Sequence, residues 1–204
     1  MKDLNNLELI LPLLEFETYD NFYVIQLLKR RKDKPNVGMR VGVRVVMSKV
    51  VCSCDALERM MPDLIETAKA TNSRIVINLN KKSFKRCSFI MLKMLADQME
   101  SGQHTPYRLF EKAAGKCCAV GGKRWVIDID DPEVDVHSII VQIERAEPEG
   151  PKVMTTIPTP NGCHLITSGF NTMQIPKDTY SYIEIKRDNP TVLFVPAALR
   201  PEEK

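Results

Sequence analysis

The chain lacks the long apolar segments that a membrane-spanning helix needs. Such a helix takes about 18 or more consecutive apolar residues, and polar or charged residues interrupt every apolar run of this sequence well before that length. The apolar stretch at residues 7–14 contains Glu8 and Pro12, and no small-residue cleavage pattern follows it. We therefore expect no membrane contact and a cytoplasmic location.

Metal-binding patterns of cysteine and histidine are also missing. The sequence has six cysteines and three histidines. The pairs Cys52/Cys54 and Cys117/Cys118 do not have the C-x₂₋₄-C spacing that is typical of zinc sites. We therefore do not expect a structural zinc ion, and we interpret the cysteines as free thiols in a reducing compartment.

Positive charge is only slightly in excess, so composition alone neither requires nor excludes nucleic acid. The formal net charge is +3. Basic residues still cluster at three places, which are Lys29–Lys32, Lys81/Lys82 with Lys85/Arg86, and Lys123/Arg124. Such clusters are typical of solvated loops and helix faces, and also of surfaces that contact a phosphate backbone.

What the sequence does contain is an alternation of strand and helix patterns. Apolar residues at every second position predict strands, and apolar residues three and four apart predict helices. The predicted strands are 22–28, 41–46, 74–80, 124–131, 152–157, 163–168, 182–186 and 191–195. The predicted helices are about 55–70, 83–101, 105–116 and 133–145, with Asp55, Ser83 and Asp131 at their starts. The pattern predicts an α/β (α+β) fold, with a mixed or antiparallel sheet flanked by helices.

One predicted strand, residues 124–131, carries two carboxylates. Side chains alternate between the faces of a strand, so Asp128 and Asp130 point the same way. Carboxylates this close repel each other unless a cation lies between them, and Mg²⁺ or Mn²⁺ prefers oxygen ligands. By the same argument, Asp128→Ala is expected to cost activity without a large loss of stability. A pair of exposed acids at a strand end is the alternative interpretation.

Two later segments place polar groups where an ordinary core strand has none. His164 follows the turn Thr159–Gly162 and enters an apolar strand. The glycine of this turn would allow a triphosphate to approach the backbone. Glu184 lies between Ile183 and Ile185, and an acid in such a strand usually has a cation as partner.

Together the three segments resemble the archaeo-eukaryotic primase superfamily, in particular its small prim-pol members. The family's first motif, a strand with two alternating aspartates, is similar to Asp128 and Asp130. Its second motif, a histidine after a Ser- or Thr-Pro-Ser-Gly-type turn, is similar to residues 159–164. Its third motif, an acid on a late strand before another apolar strand, is similar to Glu184 and residues 192–196. The motif order agrees over about 124–196, although the third acid is glutamate where the family usually has aspartate.

The resemblance implies a metal-dependent nucleotidyltransferase of primase or polymerase type, which starts or extends a nucleic-acid strand from nucleoside triphosphates on a template. It implies that two Mg²⁺ or Mn²⁺ ions are held by Asp128, Asp130 and Glu184, which are then the catalytic residues. It also implies phosphate binding by His164, to which we add its neighbours in the same motifs as further nucleotide-binding residues, Asn161, Gly162 and Lys186.

Nucleic-acid contacts are predicted from the basic clusters rather than from the motifs. The residues assigned to them are Asn80, Lys81, Lys82, Lys123 and Arg124. Solvent exposure without any ligand is the competing interpretation for these lysines. Because no helicase sequence follows the motifs, a helicase or another replication protein is the expected partner.

We predict that residues 1–73 form an N-terminal strand-hairpin and helix portion of the fold, 74–196 a primase-like catalytic core, and 197–204 a tail. Other functional classes fit the motifs less well. A haloacid-dehalogenase phosphatase normally has Thr or Val after its second aspartate, where this chain has Asp131–Pro132. A two-histidine phosphoesterase needs a second His motif. The alternative that remains is a catalytically weak accessory or nucleic-acid-binding protein of the primase fold.

Overall fold

The strand pattern of the sequence folds into two antiparallel sheets, with helices packed against them. The structure, a computed structural model, describes residues 2–33, 42–103, 106–131 and 133–200. The strands are β1 (Leu4–Asn5), β2 (Asn21–Arg30), β3 (Val43–Val51), β4 (Arg74–Ser83), β5 (Arg124–Ile129), β6 (Val153–Pro158), β7 (Cys163–Ser168), β8 (Glu184–Lys186) and β9 (Thr191–Val195). The α-helices are α1 (Leu7–Ile10), α2 (Cys54–Thr71), α3 (Phe84–Glu100), α4 (Leu109–Lys116) and α5 (Val136–Arg145). The predicted combination of antiparallel strands and covering helices is confirmed.

The strands divide between two sheets. Sheet A has the order β1-β9-β4-β2-β3, and sheet B has the order β6-β7-β5-β8. Every pairing in both sheets is antiparallel. The chain passes from sheet A to sheet B after β4 and returns after β8, so residues 187–190 connect the two sheets directly.

Two apolar cores hold the sheets, and the first is shared, because Val126, Ile157 and Ile166 of sheet B lie in the core of sheet A. On sheet A, Ile25 and Ile77 pack with Leu57 and Leu64 of α2. On sheet B, Ile127 and further apolar residues pack against α5. These cores form because alternate strand positions are apolar and the helices present apolar residues at helical spacing. The face of sheet B that α5 leaves free carries Asp128.

Two of the predicted helix starts are corrected. Helix α2 is capped by Ser53, whose side chain accepts a hydrogen bond from the Ala56 amide (3.1 Å), and Asp55 lies in the first turn. Helix α5 begins only at Val136, because Asp135 caps it. The Asp131 carboxylate instead accepts the amide of Glu133 (2.9 Å) in the preceding turn. Ser83 caps α3 as predicted.

The predicted boundary at residue 73 runs through sheet A. Strands β2 and β3 come from residues 1–73, and β2 pairs with β4 from the following portion. The first three residues of the predicted tail, 197–199, form a 3-10 helix whose Leu199 is buried. Residues 201–204 lie outside the described residues. Residue 41 of the strand predicted at 41–46 and residue 105 of the helix predicted at 105–116 also lie outside them.

Candidate active site

The register of sheet B places the three predicted motifs side by side. Strand β5 lies between β7 and β8, and Asp128 is directly opposite His164 on β7 and Glu184 on β8. Directly opposed residues of antiparallel strands point to the same face of a sheet. Asp130 follows the last residue of β5 and is exposed. The structure therefore brings Asp128, His164 and Glu184 together, with Asp130 at the strand end next to them.

These residues line a cleft of about 810 Å³ between the two sheets. Sheet B contributes one wall, which includes Asp128, Asp130, His164, Glu184, Lys186 and the turn at Thr159, Pro160 and Asn161. Sheet A and the 3-10 helix that follows β2 contribute the other wall, which includes Leu28, Arg30, Arg31, Arg74 and Val76. A smaller cavity of about 270 Å³ lies between β2, β3 and α4, and it contains none of the three motif residues. The larger cleft is therefore the candidate site.

Asp128 is the electrostatic centre of the cleft. Its Oδ2 accepts a hydrogen bond from Lys186 Nζ, and its Oδ1 lies 3.2 Å from His164 Nε2. Burial alone would raise the pKa of Asp128, but the neighbouring His164 and Lys186 outweigh burial and lower it to about 2. Although Oδ1 is close to His164, it accepts no well-aligned hydrogen bond from the described residues and is buried. This carboxylate oxygen is therefore held only by the 3.2 Å approach of His164.

Lys186 bridges two of the carboxylates. Its ammonium contacts Asp128 and also lies 3.1 Å from Glu184 Oε2. Burial alone would lower the pKa of Lys186, but hydrogen bonds to the two carboxylates raise it above its ordinary value. The space between Asp128 and Glu184 therefore holds a positive charge supplied by the protein itself.

His164 connects the cleft to sheet A. Its Nδ1 is 2.9 Å from Thr191 Oγ1 on β9, and both residues are buried. Because Nδ1 is held by Thr191, the ring presents Nε2 towards Asp128. The side chain thus faces the same cleft as the carboxylates, as a phosphate ligand would have to do.

The turn before His164 depends on glycine, for a reason that the sequence did not reveal. A Cβ atom on Gly162 would lie 2.0 Å from the backbone oxygen of Ile129. The sequence predicts that a triphosphate approaches the backbone at Gly162, but in the structure it is the end of β5 that lies against this glycine. The Thr159 side chain accepts the Gly162 amide (3.1 Å), and the turn places Asn161 at the cleft.

Three residues predicted to contact nucleic acid are buried and have partners within the protein. Asn80 hydrogen-bonds to the backbone of Arg124 and to Asp188. Lys81 lies 3.1 Å from Glu17, and Lys82 donates to the backbone oxygen of Cys117 (3.0 Å). These contacts give the three side chains structural roles.

The remaining two predicted contacts, Lys123 and Arg124, lie at the start of β5. Arg124 pairs with Glu15 (2.8 Å) and donates to the backbone oxygen of Leu13. Lys123 is exposed. Neither residue lines the cleft.

Basic residues that the sequence did not single out form the opposite wall. Arg30, at the end of β2, is half-buried and faces the cleft with Arg31. Burial, followed by the neighbouring Arg74, lowers the pKa of Arg30 from its ordinary value, and Asp128 and Asp130 act in the opposite direction. Arg74 itself makes two hydrogen bonds to Asp33 (2.6 and 2.9 Å). The cluster at Lys29–Lys32 was the available signal, but only the tertiary structure shows which members reach the cleft.

The carboxylates of the cleft are ligands of the kind that a hard divalent ion binds, although their side chains are not positioned around a common point. Asp128 and Glu184 are opposed carboxylates, and the Asp128 Oδ1 atom is buried without a hydrogen bond. Carboxylate oxygens are the ligands that Mg²⁺ and Mn²⁺ prefer. Within the described ranges, however, no group of three His, Cys, Asp or Glu side chains is close enough to hold an ion. A metal would therefore have to displace Lys186, and Asp130 would have to turn inward.

Comparisons of the chain with protein-family models, with curated proteins and with solved structures found no match. Among the helices that the structure describes, none is both long and apolar enough to cross a membrane.

Proposed function

We propose that this chain is a metal-dependent nucleotidyltransferase of primase or polymerase type, which joins nucleoside triphosphates on a nucleic-acid template. The observation that carries the proposal is the direct opposition of Asp128, His164 and Glu184 on three adjacent strands. Segments far apart in the sequence thus bring two carboxylates and an imidazole to one cleft. This is the arrangement expected from the resemblance of these segments to the archaeo-eukaryotic primases.

Asp128 and Glu184, with Asp130 turned inward, are the residues that would hold Mg²⁺ or Mn²⁺. The metal would favour ionisation of the attacking 3′-hydroxyl and neutralise charge on the leaving pyrophosphate. Asp128 is suited to this role because its low pKa keeps it charged throughout the neutral range. Its burial also protects the negative charge from screening by solvent.

The nucleotide phosphates have donors on both walls. On sheet B, His164 Nε2 and the Lys186 ammonium lie beside Asp128. On the opposite wall, Arg30 at the end of β2 and Arg31 directly after it line the same space. Guanidinium groups bind phosphate oxygens in pairs, so the arginine wall would orient the triphosphate towards the carboxylates. The template and a helicase or other replication protein complete the proposed set of partners.

The proposal is tested by nucleotide incorporation. The purified chain is incubated with Mn²⁺ or Mg²⁺, labelled nucleotides and a single-stranded template, with and without a primer. We expect metal-dependent incorporation that is lost in Asp128→Asn, a variant that keeps the size of the side chain but not its charge. Asp131→Asn is the matched control, because Asp131 is exposed in the turn before α5 and does not line the cleft. Absence of both incorporation and metal-dependent nucleotide binding would contradict the proposal.

One observation favours the second candidate, a catalytically weak accessory or nucleic-acid-binding protein. The Lys186 ammonium already lies between Asp128 and Glu184, where a metal would bind. If the lysine remains there when nucleotide is present, the cleft can bind phosphates without catalysing transfer. Template binding without incorporation, unchanged in Asp128→Asn, would identify this case.

A further inference from the structure

Lys186 holds the two carboxylates together at the position that the proposed function assigns to a metal. It is two residues after Glu184 on β8, so both side chains lie on one face of sheet B with Asp128. The ammonium contacts Asp128 and lies 3.1 Å from Glu184, and the lysine side chain is only 21% exposed. A largely buried ammonium is poorly hydrated, so losing its carboxylate contacts costs free energy unless another charged partner replaces them.

The same contacts allow a metal ion to replace the Lys186 ammonium between the carboxylates. Asp128 Oδ1 is buried and has only the 3.2 Å approach of His164 Nε2, without a well-aligned hydrogen bond, while Oδ2 is held by Lys186. An ion that took both oxygens and Glu184 would have to displace the ammonium. The side chain of lysine is long and flexible, and the cleft beside it contains the space in which phosphates would bind.

We propose that Lys186 is an internal counter-ion, which a divalent metal displaces and which then binds the phosphates of the incoming nucleotide. This inference rests on the proposed function, because it assigns an order of binding to the same site. Without metal, the lysine offsets one of the two negative charges and so reduces the repulsion between the carboxylates. With metal, the released ammonium gains a partner only when a nucleotide is present. Metal and nucleotide therefore strengthen each other's binding, as thermodynamic linkage requires.

The first test compares Mn²⁺ binding by the unaltered chain and by Lys186→Met, without nucleotide, by electron paramagnetic resonance of free Mn²⁺. Methionine has a similar shape and no charge. Because the variant has lost the competing cation, we expect it to bind Mn²⁺ roughly tenfold more tightly, as loss of one charged hydrogen bond implies. Lys93→Met, on the exposed side of α3 and away from the cleft, is the control for the general loss of one positive charge, and its affinity should be unchanged.

The outcomes separate the inference from the function on which it rests. Equal Mn²⁺ affinity in the unaltered chain and in Lys186→Met, or weaker binding by the variant, overturns the counter-ion inference alone. Absence of Mn²⁺ binding by both proteins overturns the proposed metal site, and the inference with it. Tighter binding by Lys186→Met but not by Lys93→Met supports both.

A second measurement uses the unaltered chain and does not depend on how the variant folds. The ¹H–¹³Cε signal of Lys186 is followed in lysine-labelled protein during titration with Mg²⁺. If the ammonium leaves the carboxylates, the signal shifts on addition of Mg²⁺ and shifts again on addition of a non-hydrolysable nucleoside triphosphate. A signal that does not move at saturating Mg²⁺ means that the lysine stays in place, which contradicts the inference.

Discussion

The side-chain amide of Asn80 pairs with the backbone of Arg124 and so joins the last part of β4 to the first residue of β5. Its Oδ1 accepts the Arg124 amide (2.8 Å), and its Nδ2 donates to the Arg124 carbonyl (3.2 Å). The same Nδ2 lies 2.8 Å from Asp188, in the connection from β8 to β9. Both passages of the chain between sheet A and sheet B therefore meet at one buried asparagine.

Asn80→Asp should lower the free energy of unfolding more than Asn80→Ala. The aspartate cannot donate to Arg124 or Asp188, and it places a second carboxylate beside Asp188. Each buried partner left without a hydrogen bond costs about 1–3 kcal/mol. Urea unfolding followed by circular dichroism measures the difference. Asn161→Ala, at an exposed asparagine, is the control and should change stability by less than about 0.5 kcal/mol. Equal stability of Asn80→Ala and the unaltered chain would contradict this account.

Gly162→Ala is expected to be strongly destabilising. The added Cβ would lie 2.0 Å from the Ile129 oxygen, so the turn or the end of β5 must move. Gly115→Ala is a matched control within the same chain, because nothing lies within 4 Å of the position where its Cβ would be. As Gly115 is in helix α4, its replacement by alanine should be neutral or stabilising by up to about 1 kcal/mol. Thermal unfolding of the two variants compares them directly, and similar midpoints would refute the close approach.

Much of the fold follows from local pattern. Strands β7 and β9 have the bounds that the sequence predicts, because turn residues limit each of these short apolar runs on both sides. Helix starts were less predictable where two capping residues compete. Ser53 and Asp55 are both good N-caps, and so are Asp131 and Asp135. The structure uses Ser53 and Asp135, and the intrinsic preference of capping residues does not distinguish them from Asp55 and Asp131.

The site was predictable where it depends on strand periodicity and not where it depends on tertiary contacts. Asp128, His164 and Glu184 converge because adjacent strands carry them in register. A charged pair such as Lys81 and Lys82 usually lies in solvent, whereas both side chains have partners within the protein because β4 is an interior strand of sheet A. Arg30 reaches the cleft only through the packing of sheet A beside sheet B, which no local pattern reveals.

The stabilising role of Asp128 predicts a specific pH dependence. Its pKa in the folded protein is about 2, below the ordinary value of 3.8. The carboxylate therefore contributes to the free energy of unfolding above about pH 4, and this contribution is lost as the pH falls towards 2. In metal-free buffer, we expect Asp128→Asn to be less stable than the unaltered chain by roughly 1–2 kcal/mol at pH 6. From the sequence, replacing Asp128 is expected to relieve repulsion between carboxylates and to cost little stability. The contacts of Asp128 with Lys186 and His164 instead predict a loss of stability.

The measurement is denaturant unfolding of both proteins at several pH values. The difference between them should shrink between about pH 4 and pH 2. In a protein that already carries Lys186→Met, Asp128→Asn should lower the free energy of unfolding by less, because the Asp128–Lys186 contact is already absent. A difference that is constant over this range would show that Asp128 does not have a lowered pKa.

The arginine wall predicts a charge-dependent effect on nucleotide affinity. Arg30 faces the carboxylates across the cleft. Since a hydrogen bond to a charged phosphate is worth about 1.5–3 kcal/mol, Arg30→Met should weaken binding of a non-hydrolysable nucleoside triphosphate by roughly ten- to a hundredfold. Arg86→Met, on the exposed side of α3, is the control for overall charge. Isothermal titration at two salt concentrations measures the affinities, and an equal loss in both variants would exclude a specific contact.

His164 is the residue that best distinguishes a nucleotide site from a purely structural cleft. One ring nitrogen makes a structural contact between the sheets, and the other faces the cleft, where it can bind phosphate. Nδ1 is held by Thr191, and Nε2 faces Asp128. Thr191→Val removes the first contact but leaves Nε2 in the cleft, so it should lower stability and leave nucleotide affinity per folded molecule nearly unchanged. His164→Ala removes both contacts. It should therefore lower stability by at least as much and also weaken nucleotide binding by about ten- to a hundredfold. Thermal unfolding and titration with a non-hydrolysable nucleoside triphosphate measure the two quantities separately. If His164→Ala loses stability but keeps the nucleotide affinity of Thr191→Val, the imidazole joins the two sheets and does not bind phosphate.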